Sequence, residues 1–170
     1  MWKFDGTDRP PFAVKPLAGQ ESVWDYPRPP AIVADRRRVV VRDGERIIAE
    51  SENALRILET ASPPTFYLPP AAVDWSLLVP AAGQSFCEWK GLARYWALQY
   101  DPDGGAIGWS YDAPNGSFAE IAGHLAFYPA RVACFLAEER VRPQAGGFYG
   151  GWITNELVGP FKGDAGSAGW

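Results

Sequence analysis

Val39-Val40-Val41-Arg42-Asp43-Gly44-Glu45-Arg46-Ile47-Ile48 is two β-rich runs joined by Asp-Gly. A type I′ hairpin turn needs φ > 0 at both central positions, which Asp-Gly tolerates, so the stretch reads as a β-hairpin. The reading decides the fold class because the rest of the chain is punctuated in the same way. The 170 residues include 18 glycines and 16 prolines, about 20% against a usual figure of about 12%. That excess implies many turns and short elements, and no long helices.

Working outward, Arg36-Arg37-Arg38 reads as a solvated lead into the first strand, with an anion contact as the sharper alternative. Residues 1–35 are polar and proline-rich, ending near Trp24-Asp25-Tyr26-Pro27-Arg28-Pro29-Pro30. Proline fixes φ and pushes its predecessor towards extended geometry, so this is an extended N-terminal arm. It is either a strap packed on the domain or a ligand for a partner's aromatic groove. After the hairpin, Ser51 is placed to cap a short helix over residues 53–59, with Leu55 and Leu58 on one face. Phe66-Tyr67-Leu68 then reads as a strand between proline turns.

The second half, residues 94–136, has a similar order. Arg94–Tyr100 and Ala106–Tyr111 are strands around the turn at residues 101–105. Ser117-Phe118-Ala119-Glu120 has the form of a capping box opening a short helix. Leu125–Tyr128 and Val132–Leu136 are strands around Pro129. Ala49-Glu50-Ser51 and Gly108-Trp109-Ser110 lie 59 residues apart, and Tyr67-Leu68-Pro69 and Phe127-Tyr128-Pro129 lie 60 apart. The expected architecture is a mainly β protein with short helices, two packed antiparallel sheets built from a duplicated hairpin–helix–strand unit. Its parts are the arm (1–35), the duplicated β domain (36–142) and a glycine-aromatic tail (143–170) packed on that domain.

Composition narrows the function classes. The chain is 47% hydrophobic and 21% charged, with a net charge of −4, so it lacks the basic footprint of a nucleic-acid binder. Prolines interrupt every apolar run well short of the ~20 residues of a membrane span. The start, Met-Trp-Lys-Phe-Asp-Gly, has no signal-peptide core, and Cys87 and Cys134 form neither a CxxC pair nor a disulfide framework. A cytoplasmic location is the expectation. Neither a cofactor nor a metal is indicated, and nothing speaks to the oligomeric state.

Residues with chemistry concentrate in Ser85-Phe86-Cys87-Glu88-Trp89-Lys90-Gly91. If the run is a strand, Cys87 and Trp89 share one face and Glu88 and Lys90 the other. This is a core face with a solvated ion pair, or a nucleophile and an acid–base pair in a cleft. His124 is the single histidine. It stands off the apolar face of the expected helix, as a surface histidine or as a base for Cys87. Gly146-Gly147-Phe148-Tyr149-Gly150-Gly151-Trp152 lacks the lysine and the strand–helix context of a phosphate loop, and reads as a bend that projects its aromatic rings.

Several strings carry a family resemblance: residues 21–30, Tyr67-Leu68-Pro69-Pro70, Cys87-Glu88-Trp89-Lys90-Gly91 with Ala93-Arg94-Tyr95-Trp96, Trp109-Ser110-Tyr111, residues 124–129, and residues 146–152. Together they resemble the bacterial and fungal domain of unknown function 427, in a long form with both arm and tail. The resemblance implies a β-tent domain, similar in shape to methionine sulfoxide reductase B and to the ligand-binding domain of cereblon. Many β-tents hold zinc on paired cysteines, which this chain lacks. A nucleotidyltransferase label attached to the family finds no spaced acidic pair here.

With 8 Trp, 7 Tyr and 9 Phe, the expected function is binding of a small planar or anionic molecule in an aromatic-lined pocket. The residues expected there are Trp24, Tyr26, Arg28, Trp89, Arg94, Trp96, Tyr128, Tyr149 and Trp152. The alternatives are an enzyme using Cys87, Glu88, Lys90 and His124, and an interaction module using the proline-rich arm.

Overall fold

The computed structural model describes residues 2–170. The strands are β1 (Glu21–Ser22), β2 (Ala31–Asp35), β3 (Val39–Asp43), β4 (Arg46–Ser51), β5 (Ala54–Leu58), β6 (Thr65–Leu68), β7 (Leu78–Cys87) and β8 (Gly91–Leu98). They continue as β9 (Gly108–Ser110), β10 (Leu125–Phe127), β11 (Ala133–Leu136), β12 (Glu139–Arg140), β13 (Arg142–Pro143), β14 (Trp152–Ile153) and β15 (Leu157–Val158). Helical residues are confined to short 3-10 turns, the longest at Gly116–Ile121. The protein is mainly β, as its turn chemistry predicts.

Seven antiparallel strands form the large sheet, in the order β2-β5-β6-β10-β9-β8-β7, and four form a smaller one, β12-β11-β3-β4. Between them lies the main core, where Val39, Val41 and Ile48 of the small sheet meet Phe66, Leu68, Leu125 and Phe127 of the large one. Trp152 joins this core, stacked on Phe66 with ring centroids 4.8 Å apart. Strand alternation sends intervening residues to the other face of the large sheet. There Ile57, Tyr67, Trp109 and Ala126 pack with Ala93, Tyr111, Phe118 and Ile121.

The arm and tail build a third cluster from Val23, Trp24, Tyr26, Ala61 and Leu157, with Phe4 and Trp170 against it. Trp24 meets Trp170 edge-on at 5.2 Å, and β1 pairs in parallel with β15. Residues 31–35, counted with the arm in the sequence reading, are β2 at the edge of the large sheet.

Four local expectations are corrected. The β3–β4 turn falls one residue later than Asp-Gly: Asp43 pairs with Arg46, and Gly44 at φ 58° is its left-handed residue. A left-handed φ at the first central position alone is the II′ pattern, which favours glycine there. The helix expected over 53–59 is strand β5. Both its edges are hydrogen-bonded, to β2 and to β6, and those ladders override the weak helical spacing of Leu55 and Leu58. Ser51 accepts from the Asn53 amide as a turn-former. The capping box does not form either, since Asn115 precedes the 3-10 turn, whose Ser117 lies inside it. The Asn115 side chain instead donates to the Trp89 carbonyl at 2.8 Å. Nor do the two halves take one arrangement: hairpin β3–β4 lies in the small sheet, whereas β8–β9 lies in the large one.

Candidate functional site

On the outer face of the large sheet, alternation brings Tyr67 of β6, Trp109 of β9, Tyr95 of β8, and Ser85 and Cys87 of β7 to the same side. These side chains, with Tyr111 and Tyr128, wall a cavity of about 280 Å³ that opens to solvent. The rings brace one another. Trp109 donates its indole N–H to the Tyr67 hydroxyl at 3.1 Å and leans on Tyr128 with centroids 4.6 Å apart. The Tyr95 hydroxyl donates to Ser85 at 2.6 Å.

The β7–β8 connection supplies the polar lining. Residues 88–90 are the turn of this hairpin, closed by Gly91 at φ 102°. Strand alternation ends at Cys87, so Cys87, Glu88, Trp89 and Lys90 all line the cavity instead of dividing between two faces. Asn115 anchors the turn twice, through its side chain to Trp89 and its amide to the Lys90 carbonyl at 3.0 Å.

Lys90 is 8% exposed, and its ammonium lies 6.0 Å from the Tyr111 ring centre and 5.9 Å from that of Phe118. Burial works against its charge. Tyr67 and Cys87 in their ionised forms, together with the Glu59 carboxylate, outweigh that and raise its pKa, so it stays protonated. Burial also raises the phenols of Tyr67, Tyr111 and Tyr128, which therefore remain hydrogen-bond donors at neutral pH.

At the mouth, Lys162 sits over the Trp2 ring at 5.1 Å and 5.9 Å from that of Tyr149. Burial, and then the Arg28 charge, lower its pKa. Phe148 and Tyr149 reach the mouth from the tail. Gln144 holds that segment, accepting from the Gly151 amide at 3.0 Å and donating to the Lys162 carbonyl at 2.6 Å.

Of the residues expected from sequence, the structure thus gathers Cys87, Glu88, Trp89, Lys90, Tyr128 and Tyr149 around one cavity. It places the others elsewhere. Trp24 and Tyr26 are buried in the arm–tail cluster, and Trp152 in the main core. Trp96 faces the other side of the sheet from Tyr95, donating to Ser110 at 2.9 Å. Arg94 pairs with Asp112 at 3.0 Å.

Arg28 is held inside the fold, away from the cavity lining. It donates to the Phe4 and Thr60 carbonyls at 3.0 and 2.9 Å and faces Glu59 at 3.3 Å. His124 immediately precedes β10, three positions from β7 in the sheet order, which is about 14 Å at the usual strand spacing. It does not line the cavity, and no Cys87–His124 dyad forms. Among the described residues, no group of three or more His, Cys, Asp and Glu side chains is arranged to hold a metal ion.

Sequence reasoning missed Tyr67, Tyr95, Trp109 and Tyr111, the main wall. A signal existed: Tyr67 alternates with the purely apolar Phe66 and Leu68, as a ring with a polar tip does when its face of the sheet meets a pocket.

The fold and cavity define a class: a double-sheet antiparallel β protein with an aromatic-walled cleft on the outer face of its larger sheet. Residues 31–138 match the family described as "Domain of unknown function (DUF427)", and the chain belongs to that family. The matched segment contains strands β2 to β11 and most of the cavity wall. No curated protein matches the chain. Among the described residues, no helix is long and apolar enough to cross a membrane.

Proposed function

We propose that the protein binds a small planar, anionic molecule in the cavity between the β7–β8 turn and the tail. The observation that carries this reading is the combination of a 280 Å³ ring-walled space with a buried ammonium at its wall. Tyrosine and tryptophan faces stack on planar groups, and a buried cation favours an anionic partner. Trp2, Phe148, Tyr149 and Lys162 at the mouth would cover the ligand's outer end.

The test uses the two cysteines. Cys87 lines the cavity and Cys134 is fully buried, with burial pushing its thiol up. A maleimide is therefore expected to label Cys87 alone in the folded protein. Aromatic acids from a thermal-shift panel that stabilise the protein are expected to slow that labelling. A stabilising compound that leaves the Cys87 rate unchanged binds elsewhere, and counts against the cavity.

One observation favours the enzymatic alternative: Cys87 and Lys90 share the cavity, with Glu88 beside them. In that reading the Cys87 thiol adds across an activated carbon–carbon double bond of a ligand whose anionic group Lys90 holds. The sulfur bonds one carbon as the π bond opens, and the thiol proton passes to the other. Cys87→Ser would abolish adduct formation while keeping affinity. The proline-arm reading has less support. Trp24 and Tyr26 are packed inside, with Asp25, Pro27 and Pro29 facing outward.

A further inference from the structure

We infer that the buried end of the cavity is a seat for a carboxylate, formed by the Lys90 ammonium with the Tyr67 and Tyr111 hydroxyls, and that the ligand is a planar monocarboxylic acid. This rests on the cavity reading above and names the group that the cavity selects.

Three observations support the seat. Lys90 is more than nine-tenths buried, yet among the described residues its ammonium makes no ion pair. Buried Arg28, by contrast, has Glu59 at 3.3 Å. A buried cation without a carboxylate is costly unless an anion reaches it. The phenols beside it are donors. Tyr67 already accepts from Trp109, which leaves its own proton to give, and the Tyr67 and Tyr111 rings lie with centroids 6.4 Å apart. The Tyr111 hydroxyl has no hydrogen-bond partner among the described side chains. Finally, the indole N–H of Trp89, on the same wall, is buried without an acceptor among the described residues. The end of the cavity is thus rich in donors, with the weakly accepting Cys87 sulfur beside them.

A carboxylate suits this set better than a phosphate ester. Dianionic phosphates are typically met by several cations or by the fork of an arginine. At the buried end Lys90 is the one ammonium; Lys162 stands at the mouth. The Glu59 and Glu88 carboxylates on the lining disfavour a second negative charge, and the nearby guanidiniums are engaged by Glu59 and by Asp112. The neighbouring rings of Tyr67, Tyr95 and Trp109 leave the body of the ligand flat and apolar.

The experiment measures binding of 2-naphthoate, 2-naphthamide and 2-naphthyl phosphate by calorimetry to the wild type, Lys90→Met, Tyr111→Phe and Arg94→Met. A charge-assisted contact in a buried site implies that the wild type prefers the acid over the amide by roughly 10- to 100-fold. Lys90→Met is expected to erase that preference while the amide still binds. Tyr111→Phe, which keeps the ring, is expected to reduce it. Arg94→Met, which removes a cation outside the cavity, is expected to preserve it. Should Lys90→Met fail to fold, the wild-type acid–amide ratio and the Tyr111→Phe ratio carry the test.

Equal affinity of the wild type for acid and amide overturns the seat while leaving the cavity reading intact, as does an acid preference that survives in Lys90→Met. Tighter binding of the phosphate than of the carboxylate overturns the monoanion assignment. Failure of all three probes to bind overturns the cavity reading and the seat together.

Discussion

Gly150→Ala is the perturbation that best joins the tail to the cavity. A Cβ at Gly150 would lie within 2.5 Å of Cζ3 and 3.4 Å of Cζ2 of Trp109, inside the edge of its ring. Ordinary contact begins near 3.4 Å, so ring or backbone must give by roughly 1 Å. Neither is free to move. The ring is held by its hydrogen bond to Tyr67 and its contact with Tyr128. The backbone is held by the Gly151 amide on Gln144 and by Trp152 in the main core. Overpacking of this kind costs about 1–3 kcal/mol. For a chain of this length, 2 kcal/mol lowers Tm by about 4–8 °C.

Gly147 is the internal control, in the same segment. It is exposed, its Cβ would meet nothing within 4 Å, and its φ is not left-handed. Gly147→Ala is expected to be neutral or to stabilise by about 0.4–1 kcal/mol through the unfolded chain. Thermal and urea unfolding of both variants measures the difference, and a displaced Trp109 should also weaken any aromatic ligand. A Gly150→Ala protein as stable as Gly147→Ala would refute the claim that this glycine exists to let the tail approach the ring.

Two further perturbations test the frame around the site. Burial alone would raise the Asp35 carboxyl, but hydrogen bonds from Arg37, with Arg56 nearby, hold it below the ordinary range. Its folded pKa therefore lies below the unfolded value of about 3.9, so its contribution is complete above that pH and is lost as the pH falls through the folded value. Asp35→Asn is expected to cost about 2 kcal/mol at neutral pH, less than a fully buried pair because Arg37 is partly exposed, and to flatten the acid limb of the stability curve. An unchanged acid limb by circular dichroism would exclude Asp35 as its source. Trp152→Phe removes the indole donor to the Phe127 carbonyl, a bond of 3.1 Å, and is expected to cost about 2 kcal/mol with the fold retained. A urea midpoint equal to wild type would show that the carbonyl finds another donor.

Much of the architecture was legible because strands announce themselves over short distances. Val39–Val41, Ile47–Ile48, Phe66–Leu68 and Leu125–Phe127 are short β-branched, aromatic or apolar runs with glycine or proline close by, and all lie in strands. The failures share a cause. Residues 54–58 have helical spacing for their leucines, and only the ladders to β2 and β6 make them a strand. The turn lies at Gly44-Glu45 because the ladder that pairs Val41 with Ala49 sets the strands in a register that an Asp-Gly turn, with Arg42 opposite Glu45, would not match. Strand alternation puts Glu88 and Lys90 on one face and Cys87 and Trp89 on the other, yet residues 88–90 are a turn that brings all four to one cavity.

The site divides in the same way. Composition alone marks an aromatic-rich β protein, and the Cys87–Lys90 segment and the glycine-aromatic tail stood out as the places where chemistry concentrates. Which rings meet is another matter. Strand order puts Tyr67, Trp109 and Tyr95 side by side and carries His124 three strands from Cys87. The same order turns Trp96 to the other face of the sheet, and chain return closes Trp24 against Trp170. The sequence determined the local ingredients: strands, turns, an arm, and a lysine next to a cysteine. Pairing between residues far apart in the chain decided the rest, because burial, and with it the unpaired charge of Lys90, is a property of the neighbours that pairing supplies.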